Sequence, residues 1–430
     1  MKILFSNNSK DRKTIDRILA PDQIRNPEIE KKVLEIISEV RKKGDKALIE
    51  FTRRFDHVSL KQNQLKVTKR EIKDAYKVID KRFISTAQLA IRNITEYHKH
   101  QNRQTKTYKR KDGTRLSQRI RPFQKVGIYA PGGAAPLASS LLMSAIPAKV
   151  AGVPRLVVTT PSDSKGKINP YILVCADLAG IQEIYKVGGA QAIAALAYGT
   201  KTIPKVDKIV GPGNAYVVEA KRQVFGIVDI DLLPGPSEIL VIADNTAKPA
   251  WIAADLLSQA EHTGNERVFL VTPSKAIALK VIKQLVKQVN LLSRSKEAKK
   301  SLEKGGAVII TRNLEECIEI SNRIAPEHLE IHTKHPREIA NQISSVGAIF
   351  IGPWTPEPIG DYIAGTNHIL PTNGTARMFS GLNVDEFIKK TNIVEYTEKA
   401  FRKAAKATIN FAEIEHLGAH AESVRIRLKS

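Results

Sequence analysis

A rhythm in the middle of the chain constrains its fold more than any other property of the sequence. From Lys125 onward, short β-rich runs close on glycine or proline and hand over to helical stretches: KVGIYAPGG, RLVVTTP, EIYKVGG and DKIVGPGN. Strands alternating with helices build parallel sheets of βα units. A second set follows, RVFLVTP, GAVIIT, HLEIHT and GAIFIG, with helical segments such as SKAIALKVIKQLVKQV between them. Two sets predict two α/β domains, with a boundary near Asp229 to Asp244, where Pro234-Gly235-Pro236 separates two apolar runs. Ligands are expected at the loops on the carboxyl ends of the first set of strands.

The flanks read differently. Up to about Arg121 the chain repeats apolar residues at helical spacing, as in NPEIEKKVLEIISEVRKKGDKALIEFTRRFD, and after Val384 it turns helical and basic again. The formal charge of +24 raises the question of a nucleic-acid partner. Lys and Arg crowd the segments before Val126 and after Val384, without a zinc-finger or RNA-binding signature, so they read as solvated helix faces and argue against nucleic acid. No apolar run of about 18 residues suggests a membrane span, and the opening MKILFSNNSK is too short in apolar residues for a secretory signal. Two cysteines, Cys175 and Cys317, make no disulfide framework, which fits a reducing cytoplasm.

Three glycine turns follow strands: APGGAAP (Ala130 to Pro136), VGGAQA (Val187 to Ala192) and GPGNAY (Gly211 to Tyr216). Each also suits an ordinary tight turn, and none completes the dinucleotide fingerprint. Together they suggest an anion-tolerant crevice at helix N-termini. In SQAEHTGNE, Gln259 and His262 are three apart and would share one face of a helix. They fit either a capped C-terminal turn ended by Gly264 or a pair of ligands. Gln259, His262, Asp361 and His420 are of metal-ligating type but scattered, so spacing alone proves nothing. In APEHLE, Pro326 biases Ala325 toward an extended backbone, and Glu327-His328 stands at the entry to a strand as two proton-transfer groups. Cys175 in an apolar run and Cys317 beside glutamates are poor nucleophiles, because both surroundings raise a thiol pKa.

GIYAPGG, VGGAQAIAALAYGT, VDKIVGPGNAYVVEAK, LPGPSEILVIAD, SQAEH, APEHLE, GDYIAGTNHILPT and HLGAHAES occur here in the order found in histidinol dehydrogenases. The chain resembles that family from about Phe51 to Val424. The resemblance implies oxidation of L-histidinol to L-histidine through the aldehyde, with two NAD and one zinc ion per subunit. It implies zinc ligands at Gln259, His262, Asp361 and His420. Substrate contacts would be those residues with Ser237, His328, His368 and Glu415; NAD contacts would be Tyr129, Gln191 and Asn214; Glu327 and His328 would be the catalytic bases. It further implies a homodimer with shared active sites, made by tails that reach the partner subunit.

The fold expected is α/β, two incomplete Rossmann-like parallel-sheet domains with a helical N-terminal arm and a C-terminal tail. The arm is residues 1–25 and the tail 382–430. An NAD-contacting domain spans 129–236, and a discontinuous domain of 26–128 with 237–381 carries the zinc and catalytic residues. With no credible cysteine, Glu327 is assigned to activate water and His328, as a neutral imidazole, to take the carbinol proton. The rival reading is a zinc hydrolase using the same residues without a nucleotide.

Overall fold

The computed structural model describes residues 1–20, 26–132 and 137–429. It divides into two compact units, Met1–Gln101 with Gln124–Phe387, and Asn102–Phe123 with Ile388–Ser430. The strands in chain order begin β1 (Lys2–Phe5), β2 (Lys106–Lys109), β3 (Arg115–Pro122), β4 (Lys125–Tyr129), β5 (Arg155–Thr159), β6 (Glu183–Tyr185) and β7 (Lys208–Val210). They continue with β8 (Asp229–Ile230), β9 (Glu238–Ala243), β10 (Arg267–Thr272), β11 (Gly306–Ile310), β12 (His328–His332), β13 (Ala348–Ile351) and β14 (Ile388–Glu395).

The first unit holds two all-parallel sheets. One has the order β6-β5-β4-β7-β8 and the other β1-β11-β10-β9-β12-β13. Setting β1 aside, each runs third, second, first, fourth, fifth in chain order. That is the doubly wound order without its sixth strand, so the expected pair of incomplete Rossmann-like sheets is present. β9, β10, β11 and β12 are buried along their whole length, because helices cover both faces. Ile252 and Leu256 pack with Ile239 and Val241 on one face; Ile318 and Ile324 pack with Leu240 and Leu329 on the other.

The helix Pro27–Lys43 is built from its own sequence signals. Asn26 caps it by accepting from the N–H groups of Glu28 and Ile29, Pro27 pre-sets its first turn, and Arg41, Lys42 and Lys43 complement its dipole at the far end. Its stripe Val33, Ile36, Ile37 and Val40 buries against the helices Gly189–Tyr198 and Ala215–Val224 beside the five-stranded sheet. Each such side chain is worth about 1.5–3 kcal/mol, and a charge in place of the wholly buried Val33 would pull the helix off that surface.

The flanks depart from expectation. Residues 1–25 do not form a purely helical arm, because Lys2–Phe5 is an edge strand parallel to β11; residues 21–25 lie outside the described residues. The stretch before Arg121 contains β2 and β3, and the tail contains β14; in the second unit these pair antiparallel as β14-β3-β2. Their side chains are mostly exposed, so no burial imposes the period-two apolar pattern that marks a strand. Leu382, Val384 and Phe387 are buried and belong to the first unit, so the tail begins at Ile388 rather than 382. The helices Glu398–Ile414 and Gly418–Leu428 pack on each other in the second unit. Among the described residues no helix is long and apolar enough to cross a membrane.

Candidate active site

A cavity of about 1350 Å³ opens within the first unit. On the five-stranded side it meets the carboxyl ends of β4 and β7, where strand order reverses, through Tyr129, Gly211 and Asn214. On the six-stranded side it meets the amino ends of β9 and β12, through Ser237, Glu327 and His328. The expectation that the first set of strands binds at its carboxyl ends agrees with this cavity, and the six-stranded sheet meets it from the opposite end. The helix Pro249–Ala260 runs back from the far edge and delivers Gln259 to this amino edge.

The glycine turn after β7 is held open by a buried ion pair. Asp231 Oδ2 accepts from the Gly211 N–H at 2.7 Å, and Lys221 Nζ donates to the Gly211 carbonyl at 3.1 Å. Lys221 and Asp231 also contact each other, both side chains 1% exposed. Gly211 has φ +113°, and a Cβ there would stand 2.2 Å from the Tyr129 carbonyl oxygen, so the turn needs glycine. The Tyr129 hydroxyl accepts from the Gly189 N–H at 3.1 Å, linking two of the three turns. Gln191 is 1% exposed, lines the cavity, and has neither amide atom hydrogen-bonded. Asn214 spends its side-chain oxygen capping the next helix, accepting from Tyr216 and Val217. Residues 133–136 of the third turn lie outside the described residues.

Glu327 and His328 stand together at the mouth of β12, as expected. Ala325 before them is not extended but left-handed, φ 51° and ψ 61°. It closes the helix Leu314–Ile324 by donating to the Ser321 carbonyl, and the chain must reverse at once into β12. Glu327 Oε2 accepts from the Glu238 N–H at 2.9 Å, and burial, opposed by His328, pushes its carboxyl up to about 7. His328 Nδ1 lies 2.9 Å from the Gln259 amide nitrogen and 3.0 Å from the Glu238 carbonyl oxygen. Its Nε2 faces Asp361 Oδ1 at 3.5 Å. Burial alone would keep this ring neutral, but Glu327, Asp361 and Glu357 raise it to about 10.

Gln259 and His262 do not share a helical face. The helix ends at Ala260, and His262 lies in the following turn with Nδ1 3.0 Å from the Gln259 carbonyl oxygen. Both line the cavity with Asp361. Gln259 Oε1 is buried with no hydrogen-bond partner, an orphaned acceptor oxygen of the kind a cation would satisfy. An imidazole, a carboxylate and an amide oxygen converging on a cavity fit zinc. Asp361 also groups with His328 and Glu357, one ligand atom from each lying within 4.8 Å of the others. Glu357, which sequence reasoning missed, accepts from Ser258 Oγ at 2.9 Å; burial and neighbouring Asp361 push its carboxyl up to about 8.

Ser237 and His368 line the same cavity. His368 is pinned by Ser140 Oγ at 2.9 Å on Nε2 and by the Asp361 carbonyl oxygen at 2.9 Å on Nδ1, and burial lowers its pKa. Ser140, in an apolar helix, carried no signal in the sequence. Nor did Lys221, which reads as the polar face of VVEAKRQV. Glu415 and His420 are exposed residues of the second unit. Both cysteines are buried with thiols pushed up to about 12, in keeping with their dismissal as nucleophiles.

Two doubly wound sheets around one cavity, with a strand-order switch point on one side and a buried acid–imidazole pair on the other, define an α/β enzyme of the dehydrogenase kind. The family profile described as histidinol dehydrogenase matches residues 20–428. The chain is 51% identical over 404 residues to the histidinol dehydrogenase of Clostridium acetobutylicum, covering 94% of this chain and 93% of that one. It is 51% identical over 412 residues to that of Caldanaerobacter subterraneus, covering 96% and 95%. The crystal structure of histidinol dehydrogenase from Elizabethkingia anophelis superposes with a TM-score of 0.94 at 40% identity, over 100% of this chain and 98% of that one. The chain belongs to the histidinol dehydrogenase family.

Proposed function

We propose that the protein oxidises L-histidinol to L-histidine through the aldehyde, using two NAD in turn, in the final steps of histidine biosynthesis. One observation carries this reading beyond the family: Glu327 and His328 share a cavity with the unpartnered amide of Gln191 and the glycine turn at Gly211. A zinc hydrolase would have no use for that second wall. Reduced nicotinamide formed when histidinol and NAD are added tests the reading, and no absorbance change would refute it.

The nicotinamide, when bound, supplies the hydride acceptor, and zinc supplies positive charge and an anchor for the substrate's amine and imidazole. Gln259, His262 and Asp361 would hold the zinc, with His420. His328, held at Nδ1 between the Gln259 amide and the Glu238 carbonyl, would take the carbinol proton. Ser237, His368 and Glu415 would position the substrate. Glu327, anchored by the Glu238 N–H, takes the proton of the water that hydrates the aldehyde, and its carboxyl near 7 suits a base at neutral pH. Tyr129, Gln191 and Asn214 would contact NAD.

We further propose a homodimer whose second units complete the partner's sites with Glu415 and His420. The exposed Phe411, Ile414, Leu417 and Ile426 beside them support an apolar contact with another subunit. Mixing His328→Ala subunits with His420→Ala subunits is expected to restore activity in the hybrid. A hybrid as inactive as its parents would place each site within one chain.

A further inference from the structure

We propose that Asp56 reads the dinucleotide, accepting the adenosine ribose hydroxyls of NAD and turning away NADP. The inference rests on the NAD reading above. In a doubly wound sheet the ribose is ordinarily recognised by an acidic side chain beyond the second strand, whereas a basic one there accommodates a 2′-phosphate. Here the second strand is β5, followed by Thr160-Pro161-Ser162. The first acid beyond it, Asp163, is exposed, and its Oδ1 is occupied within its own turn, accepting from the N–H groups of Lys165 at 2.9 Å and Lys167 at 2.8 Å. The ordinary reader is therefore spent on local structure.

A different element supplies a carboxylate. Asp56 ends the helix Asp45–Phe55, donating its N–H to the Thr52 carbonyl, and His57 follows with φ 55°, which turns the chain away sharply. Asp56 lines the cavity on the side of the five-stranded sheet, close enough for its charge to act on the Tyr129 phenol. Its Oδ2 is shielded from solvent with no hydrogen-bond partner. Burial pushes the carboxyl up to about 6, with His57 pulling the other way, so at neutral pH it is mostly ionised. A shielded carboxylate oxygen without donors is costly, and a vicinal diol offers two donors. Asp56 lines the wall carrying Tyr129, whereas His328 stands on the wall of the six-stranded sheet, so a nicotinamide at the bases leaves the adenosine half to the Asp56 wall. Lys32 and Arg54 line it too, but Glu35, Glu39 and Glu50 offset them, so a doubly charged 2′-phosphate gains no net positive field.

The test measures kcat/KM for NAD and for NADP with histidinol in the wild type, Asp56→Asn and Asp56→Ser. The wild type is expected to prefer NAD, and each variant to lose about tenfold or more of the NAD/NADP ratio, as loss of a charged hydrogen-bond acceptor implies. A ratio within about threefold of wild type in variants that still turn over NAD would overturn the inference. A merely structural role for Asp56 would lower both efficiencies together and overturn it equally. Should the variants not fold, the wild type decides by calorimetry without turnover: 2′-deoxyadenosine monophosphate is expected to bind about tenfold more weakly than adenosine monophosphate, and equal binding would overturn the proposal. A wild type that reduces neither dinucleotide refutes the proposed function itself, a result distinct from an unchanged ratio.

Discussion

Glu327→Gln is expected to lower oxidation of added histidinal by about 10²–10⁴-fold while histidinol still binds nearly as in the wild type. The amide keeps the shape and can still accept from the Glu238 N–H that anchors Glu327 Oε2, so folding and placement survive. What disappears is basicity, and the aldehyde step needs it most, because water must be activated there and both thiols are buried and unreactive. A base works only when deprotonated. Burial puts this carboxyl near 7, so wild-type histidinal oxidation should fall as pH drops through that value, and the variant should lack that acid limb. His328→Asn should instead slow the first hydride transfer and weaken substrate binding. Direct assays of histidinal oxidation beside single-turnover histidinol oxidation separate the two, and wild-type histidinal rates in Glu327→Gln would remove Glu327 from the role.

Removal of the metal is expected to have an effect of the same order. Chelation should stop turnover and added zinc should restore it, with bound metal measured alongside. Loss of zinc should leave the circular dichroism spectrum unchanged, because Leu240, Val241, Phe269 and their neighbours bury both faces of the six-stranded sheet without help from any ion. His262→Asn should lower metal retention more than Gln259→Glu, because a carboxylate can still ligate where the buried Gln259 Oε1 has no other partner. Full activity in protein shown to be free of metal would contradict the ligand assignment.

The parallel sheets were legible because buried βα units impose their own spelling. β10 and β11 carry the apolar runs VFLV and AVII, closed by Pro273 and by Thr311 before a polar turn, and burial on both faces leaves little freedom in composition. β2, β3 and β14 were not legible, since an exposed antiparallel ribbon needs no apolar alternation and its lysines and arginines suit a helix equally well. The same distinction runs through the site. Glu327-His328 could be read from its place before a strand, and the glycine turns from their strand-to-helix context. Glu357, Ser140 and the Lys221–Asp231 pair matter only through contacts between distant segments, and no local spacing announces them. Ala325 shows tertiary closure overriding a local rule: Pro326 favours an extended neighbour, but the helix end before it demands a left-handed one.

The central proposal is that one cavity oxidises one substrate twice. The direct measurement is the number of NADH formed per histidinol when histidinol is limiting and NAD is in excess, with histidine quantified in the same reaction. The prediction is two NADH and one histidine for each histidinol consumed, with no free histidinal accumulating. One NADH with histidinal as the product, or none at all, would contradict it.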